Sequence, residues 1–396
     1  MTPAVSERPA PLAAVLAVTF LGSVSSGVFW AGIFFVTAIH YRFSPVQNLV
    51  LAATMGAVYA LSARYAGPLL RALERRFSPR AVLAGALGLW GITSLGPLAF
   101  GDYEAMLWVA ALVGATMPAI AWPIVESFLV AGRHGQGMRS ALGWFNVTWT
   151  PATAVSLLLM PALAKTNVLY TVALTAVVNG GAILALFALP RRPGLHERAA
   201  SEAAVGREYT WLVRSASWLL PLSYVMSSTL APVLPHRLAA VGAGSIPSSV
   251  VASTWMIARF LTLGLMWRIG FWHGRWGTLV AATGALVGGV VMVLLGSRLE
   301  TVVAGLALFG SGMGLIYYAA LYYSMATGHA AVDAGGAFEA LIGVGYCLGP
   351  LLGLAGHAAA PARAPSATMI FTAIVTALVA TAAARPYLAA RGQRAR

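Results

Sequence analysis

Charged side chains are scarce in this sequence, and acidic ones are the scarcest. Asp, Glu, Lys and Arg make up 9% of the 396 residues, whereas about 25% is usual for a soluble globular protein. The chain therefore carries too little charge to cover a soluble surface. With 59% hydrophobic residues and a mean hydropathy of +0.80, it is predicted to cross a membrane many times.

Cysteine and clustered metal ligands are also lacking. Cys347 is the only cysteine, which excludes an intrachain disulfide and a metal site with several cysteine ligands. The seven histidines are scattered, and no pair of them has ligand spacing with a carboxylate. No glycine-rich loop ends in Lys-Ser or Lys-Thr, so ATP-driven transport has no support. We expect neither a metal nor a cofactor.

Long apolar runs fill most of the chain. They lack the period-two alternation of barrel strands, and a backbone in lipid must satisfy its own hydrogen bonds, so we interpret them as helices. About 20 residues are needed for each crossing. The predicted spans are 11–39, 46–66, 80–100, 105–131, 140–163, 167–189, 215–235, 248–270, 277–297, 302–325, 336–357 and 367–385.

The distribution of basic residues predicts the orientation. If both termini are cytoplasmic, nineteen of the 25 basic residues lie on the inner side, as the positive-inside rule requires. The net charge of +14 is thus spread over loops on one side of the membrane, and we expect no nucleic-acid binding. Arginine replaces lysine almost everywhere, which is typical of a GC-rich bacterial genome, so we expect the bacterial inner membrane. The outer side would hold Arg42, Lys165, Arg237, Arg298 and Arg363.

The two halves of the chain resemble each other at an offset near 199 residues. Gly85-Ala86-Leu87 matches Gly284-Ala285-Leu286, and Pro151 matches Pro350. Weak internal symmetry of this kind is typical of secondary transporters that bind substrate between their halves. We predict an all-α membrane protein with twelve transmembrane helices in two pseudo-symmetric six-helix bundles. The bundles would comprise residues 1–189 and 215–396, joined by a cytoplasmic linker at 190–214.

This organisation resembles the major facilitator superfamily over nearly the whole chain. The loop GPLLRALERRFSPRAVLAG between spans two and three is similar to the family's glycine, acid and basic signature, although Arg71 stands where an Asp is usual. The resemblance implies a monomeric transporter in the lipid bilayer that moves a small-molecule substrate by alternating access, with a proton or another ion as a possible coupling partner. It also implies salt-bridge latches at the inner gate, here Glu126 with Arg139 and Glu74 with Arg75 or Arg76.

Arg259 lies in the middle of SSVVASTWMIARFLTLGLMW, at residues 248–267. A charge at this depth is costly and is a functional candidate. Trp255 and Thr262 share its helical face. No acid in a predicted span lies at its level, so we predict that Arg259 binds a negative or electronegative group of the substrate. A structural arginine held by backbone carbonyls at a helix break is the alternative.

Glu126 and Glu339 are the only acids inside predicted spans, both near the cytoplasmic end. They are interpreted as gate latches or as proton-coupling carboxylates. Other polar and aromatic side chains would line a substrate cavity or pack between helices: Tyr318, Tyr322, Asn146 and Trp149. Trp272, near a span end, is expected at the membrane–water interface.

The eleventh span contains Gly345-x-x-x-Gly349-Pro350-x-x-Gly353. This spacing resembles the antiporter motif of family drug exporters, but it lies in the wrong half of the chain. Proton-coupled efflux of a drug or metabolite therefore stays as an alternative to our main prediction, secondary transport of a small solute. An alternative of another class is a membrane-embedded enzyme or a transport-dead sensor.

Overall fold

All regular structure in the described residues is helical. The computed structural model describes residues 9–133, 135–193, 207–242, 247–326 and 332–394, with side chains left out at 135, 207–208, 325–326, 332–338 and 392–394. The helices are α1 (Leu12–Tyr41), α2 (Pro45–Leu73), α3 (Pro79–Ala99), α4 (Glu104–Val130), α5 (Gly135–Ala164), α6 (Tyr170–Leu186), α7 (Arg207–Leu230), α8 (Leu234–Val241), α9 (Ser248–Arg268), α10 (Trp276–Leu295), α11 (Leu299–Ala326), α12 (Val332–Ala359) and α13 (Ala364–Arg394).

Ten of the described helices are long and apolar enough to cross a membrane, and α7 with α8 forms a bent pair that would be an eleventh span. This confirms the prediction of a multi-pass, all-α membrane protein. The helix α6 lies inside the predicted sixth span, but it has only 17 residues, at the lower limit for a crossing. A count of twelve spans stays a prediction.

The described helices belong to two compact units. Unit 1 comprises Met1–Tyr41, Val58–Ser201 and Gly335–Ala340, and unit 2 comprises Arg42–Ala57, Glu202–Ala334 and Leu341–Arg396. The predicted halves differ from these units in two places. The start of α2 is grouped with unit 2, and a short stretch of α12 is grouped with unit 1. Of the predicted linker, 190–214, residues 194–206 lie outside the described residues, and residues 207–214 belong to α7.

Polar side chains join helices inside unit 1. The Ser25 hydroxyl of α1 donates to Asn179 Oδ1 of α6 at 2.7 Å, and Asn179 Nδ2 donates to the Leu87 carbonyl of α3 at 3.2 Å. Both hydrogen bonds are buried, where a paired polar group costs far less than an unpaired one. The Asn179 side chain therefore links three spans.

The two first spans of the predicted halves are both irregular. In α1, π-helical turns occupy Val28–Gly32 and Thr37–Tyr41. In unit 2, α7 and α8 meet at 57° across residues 231–233. The Pro232 carbonyl at this break accepts a 3.2 Å hydrogen bond from the amide of Asn48, which is fully buried on α2. Non-helical backbone at membrane depth needs such a partner inside the protein.

Arginine side chains satisfy carbonyls at three helix ends. Arg80 donates to the Leu189 carbonyl at 2.7 Å, Arg133 to the Leu129 carbonyl at 2.6 Å, and Arg237 to the Val293 carbonyl at 3.0 Å. The last carbonyls of a helix lack intrahelical donors and carry partial negative charge. Some of the loop arginines that predict the orientation thus also stabilise helix ends.

Candidate functional site

Arg259 is a buried cation of unit 2. Its side chain is 4% exposed, and it lies eleven residues after Ser248, the first residue of α9, or about 16 Å along the helix axis. That is roughly half the thickness of a bilayer core.

Two tyrosines on neighbouring helices surround the guanidinium of Arg259. One terminal nitrogen donates to the Tyr224 hydroxyl of α7 at 3.2 Å. The guanidinium carbon lies 5.7 Å from the Tyr224 ring centroid and 4.9 Å from that of Tyr317 on α11. Distances below about 6 Å allow cation–π attraction, which is strongest in desolvated sites. Arg259 therefore joins α7, α9 and α11 through aromatic faces and a hydroxyl.

The helices α9 and α11 are in close contact on both sides of Arg259. A Cβ atom at Gly310 would overlap the Trp255 carbonyl, and one at Gly314 would lie 3.0 Å from Thr262 Cβ. Small residues four apart permit this approach of two membrane helices. The Thr262 hydroxyl donates to the Ala258 carbonyl at 2.9 Å, and the Trp255 ring packs on Phe309 at 5.8 Å. Both predicted companions of Arg259 thus take part in helix packing.

Tyr318 and Tyr322 belong to a different group of side chains, an aromatic cluster at the end of α9. Tyr322 stacks on His273 at 4.3 Å with an interplanar angle of 6°, and Tyr318 meets Trp272 edge-on at 5.8 Å. Among the neighbouring tyrosines of α11, Tyr317 is the one that faces Arg259.

Trp272 is the centre of this aromatic cluster. It is 2% exposed, and its indole Nε1 donates to the Met266 carbonyl at 3.0 Å. The ring of Trp272 is therefore buried within unit 2, and its level at the membrane–water interface stays a prediction. A tryptophan near a span end is placed by the packing of its loop as well as by its affinity for head groups.

Asn146 and Trp149 lie together on α5. The Asn146 side chain is buried, its Nδ2 donates to the Leu142 carbonyl at 2.9 Å, and its Oδ1 accepts from Trp149 Nε1 at 3.0 Å. These hydrogen bonds are all local to α5. The amide fixes the orientation of the indole on the surface of that helix.

The predicted latch residues form no ion pairs with one another among the described residues. Arg139 is exposed in the second turn of α5, and in the described part of the chain it forms no ion pair with Glu126. Glu74, Arg75 and Arg76 are exposed in the turn after α2. The described residues contain no ion pair between Glu74 and either arginine.

The structure instead brings Glu126 and Glu339 together within unit 1. Glu126 of α4 is close enough to Glu339 of α12 for their carboxylates to interact electrostatically. The Tyr59 hydroxyl of α2 donates a short hydrogen bond to a Glu339 oxygen, and the Trp30 ring packs edge-on against Tyr59 at 5.4 Å. We call Glu126 and Glu339 the carboxylate pair.

The glycine motif of α12 is a packing surface. A Cβ atom at Gly345 would lie 2.7 Å from Tyr224 Cβ, and one at Gly349 would overlap Ser228 Oγ and the Val225 carbonyl. The Ser228 hydroxyl donates to the Gly345 carbonyl at 2.9 Å. The glycines whose spacing resembles an antiporter motif thus allow the close contact between α12 and α7.

Sequence reasoning missed Tyr224 and Tyr59. Each lies in an apolar run without a distinctive motif, and each acquires its role only from a residue far away in the chain. Tyr317 directly precedes Tyr318 in the sequence, and only the rotation of α11 shows which of these rings faces α9. Among the described residues, no group of three His, Cys, Asp or Glu side chains is arranged to hold a metal ion.

The fold is similar to that of solved transporter structures. The crystal structure of the nucleoside transporter NupG matches with a TM-score of 0.65 and 12% identity, covering 95% of this chain and 98% of that chain. A mutant form of NupG matches with a TM-score of 0.68 and 11% identity, covering 95% and 99%. No family model and no curated protein sequence matches this chain. At this identity the likeness shows the fold alone.

Proposed function

We propose that the protein is a secondary active transporter of a small solute that works by alternating access. The observation that carries this proposal is the match in fold, over nearly the full length of both chains, to structures of the nucleoside transporter NupG. We further propose twelve spans in two six-helix bundles, 1–189 and 215–396, with the cytoplasmic linker 190–214. The protein would act as a monomer in the bacterial inner membrane, with both termini in the cytoplasm.

Nucleosides are the first substrates to test, because the matched structures are named for them. Purified protein in liposomes should exchange internal unlabelled nucleoside for external labelled nucleoside at a rate above that of empty liposomes. A panel with neutral nucleosides and anionic nucleotides would define the substrate class. If no solute crosses and a panel compound is chemically altered, the enzyme alternative replaces transport.

Arg259 is proposed to bind an electronegative group of the substrate. Guanidinium keeps its charge and offers paired donors for such a group. Its contacts with Tyr224 and Tyr317 also support the alternative, a structural clamp between helices. Arg259→Ala separates the two roles: a binding role predicts nearly abolished transport by protein with a wild-type melting temperature, whereas a clamp predicts a lowered melting temperature and normal transport by the folded fraction.

A proton is the coupling ion that the carboxylate pair favours. Two carboxylates close together in a low-dielectric environment cannot both be charged at low cost, so the pair is suited to hold one proton. The hydrogen bond from Tyr59 would stabilise the charged member. Proton coupling is compatible with import and with the efflux alternative, because in both directions the carboxylate pair would bind and release one proton.

Glutamine variants of the carboxylate pair test the coupling role. Glu126→Gln and Glu339→Gln should abolish uptake driven by an imposed pH gradient but retain exchange of labelled for unlabelled solute, because exchange needs no net proton movement. Glu104→Gln is the matched control and should leave uptake normal. Glu104 lies at an exposed helix start, where it accepts a hydrogen bond from the Trp108 indole. Loss of exchange and uptake together would contradict a coupling role.

The inner gate is proposed to close through Glu126 with Arg139 and Glu74 with Arg75 or Arg76 in another state of the cycle. Glu126→Gln should then favour the inward-open state and increase cysteine labelling from the cytoplasm at inner cavity positions. Unchanged labelling would contradict the latch. Two measurements on Glu126→Gln therefore distinguish the two roles: cysteine labelling reports on gating, and uptake driven by a pH gradient reports on coupling.

A further inference from the structure

The two members of the carboxylate pair make different hydrogen bonds. Glu339 of α12 accepts one from the Tyr59 hydroxyl of α2, whereas no described residue donates a hydrogen bond to Glu126 of α4. Both glutamate side chains are half-buried, and all three residues belong to unit 1. The contrast between the two acids therefore lies in their hydrogen-bond donors and not in their exposure.

Tyr59 is held in a position that serves only one of the two acids. Its side chain is 3% exposed, and the Trp30 ring of α1 packs against it edge-on, at 5.4 Å and 88°. A phenol has a single proton to donate, and the hydrogen bond directs it to a Glu339 oxygen. A close-packed ring keeps one rotamer on average, so the donor stays with Glu339.

This hydrogen bond determines which acid is charged when the pair holds one proton. A donor favours the charged form of the carboxylate that it contacts, and a hydrogen bond to a charged oxygen is roughly twice as strong as one to a neutral oxygen. Two neighbouring carboxylates in a low-dielectric environment resist simultaneous ionisation. With Glu339 held in its charged form, the proton that relieves their repulsion binds to Glu126.

The arginines near this end of unit 1 are directed elsewhere. Arg133, beyond the end of α4, donates to backbone carbonyls. Arg139 is exposed on α5 and forms no ion pair with Glu126 in the described part of the chain. Among the described residues, the ionisable groups that act on the pair are thus its own members and Tyr59.

We propose that Tyr59 is a positioning residue that keeps Glu339 charged and thereby places the coupling proton on Glu126. The proton binds a Glu126 oxygen from water on one side of the membrane and leaves the same oxygen for water on the other side. Glu339 keeps its negative charge, and Tyr59 keeps its own proton, throughout the cycle. This inference rests on the proposed proton coupling and goes beyond it by giving the two acids different roles.

Infrared titration of the purified full chain tests the assignment without transport. A protonated carboxyl group has a C=O band that shifts in D2O, and the spectrum of the double variant E126Q/E339Q is subtracted to remove the other acids. Each single variant leaves one member of the pair, so its protonation step belongs to that residue and not to a coupled pair. The E126Q protein, which retains Glu339 and its donor, should bind its proton at a lower pH than the E339Q protein.

Replacement of Tyr59 by phenylalanine removes the donor and keeps the ring against Trp30. In the E126Q background, Tyr59→Phe should move the Glu339 step to higher pH by about one unit or more, because a hydrogen bond to a charged group is lost. In the E339Q background, the same change should leave the Glu126 step in place. Tyr65→Phe, at a 62% exposed position of the same helix, is the control and should move neither step.

Two results would overturn the proposal. One is a protonation step in E126Q at the same pH as in E339Q or above it, a comparison that does not depend on the folding of a Tyr59 variant. The other is a shift of the Glu126 step by Tyr59→Phe with the Glu339 step unmoved. Uptake driven by a pH gradient, measured on wild type, tests the proposed function separately: its absence with the expected steps would refute coupling alone, and normal uptake with reversed steps would refute the assignment alone.

Discussion

At the scale of single residues, a charge inside the membrane is stabilised by groups that carry no net charge. Tyr224 offers Arg259 a hydroxyl oxygen and Tyr317 a ring face. Cation–π attraction contributes about 2 kcal/mol or more when both partners are desolvated, which offsets part of the cost of burying the guanidinium. The sequence predicts an electronegative group of the substrate near Arg259, or backbone carbonyls as the alternative, and the structure shows one hydroxyl and two aromatic faces there.

Replacement of Tyr317 tests the aromatic contribution. Tyr317→Leu removes the ring face and should lower the free energy of unfolding by about 2 kcal/mol, whereas Tyr317→Phe keeps the face and should have little effect. Thermal unfolding in detergent measures both. Tyr103→Leu, at a position that is 67% exposed, is the control for loss of an aromatic ring. Equal destabilisation by Leu and Phe at position 317 would show that the hydroxyl matters instead of the ring.

At the scale of helices, close contacts and breaks decide the shape of unit 2. Two α12 glycines let α7 approach until side-chain hydroxyls reach backbone carbonyls. The bend between α7 and α8 exposes a carbonyl that Asn48 satisfies. The glycine contact adds packing and hydrogen bonds between two helices. The Asn48 amide supplies the hydrogen bond that the broken helix no longer provides in lipid.

A methyl group at Gly349 should disrupt the contact between α12 and α7. Gly349→Ala places a Cβ atom against the Val225 carbonyl and Ser228 Oγ, and overpacking of this kind costs about 1–3 kcal/mol. Gly264→Ala, in α9, is the control because nothing lies within 4 Å of its Cβ position. Melting temperatures should fall for the first variant and stay the same or rise for the second. Equal behaviour of both would contradict close packing at Gly349.

Loss of the Asn48 amide should destabilise the break between α7 and α8. Asn48→Ala leaves the Pro232 carbonyl without this donor, at a cost of about 1–3 kcal/mol for a buried group. Asn48→Asp should be worse, since a carboxylate would face a carbonyl oxygen. Hydrogen exchange of residues 228–241 should accelerate in both variants more than exchange in α10. Uniform acceleration throughout unit 2 would indicate a global loss of stability instead of a local one.

At the scale of the whole molecule, the basic residues predict the orientation in the membrane. Nineteen of 25 lie on the side that the prediction places inside. Reporter fusions within residues 190–214 and at the C-terminus should therefore both give cytoplasmic signals, and a fusion after Arg298 should give a periplasmic signal. A cytoplasmic signal from all three sites would contradict the alternation of spans between them.

Composition and periodicity alone predict a helical membrane protein with many spans, because long apolar runs in lipid have few other stable structures. The described helices and the match in fold to solved transporters agree with the coarse part of that prediction, an all-α protein with many spans. The depth of Arg259 also follows from the sequence, since helix rise converts position into distance.

Only the tertiary structure decided which side chains meet. Glu126 lies near Glu339 instead of Arg139, Tyr317 faces Arg259 while Tyr322 stacks on His273, and Trp272 is buried. Each outcome depends on the rotation of a helix about its axis or the course of a short loop. In a nearly all-apolar span the hydrophobic pattern does not specify that rotation, because lipid and protein interior are equally apolar. Glycine contacts and a few buried hydrogen bonds specify it, between residues that lie far apart in the chain.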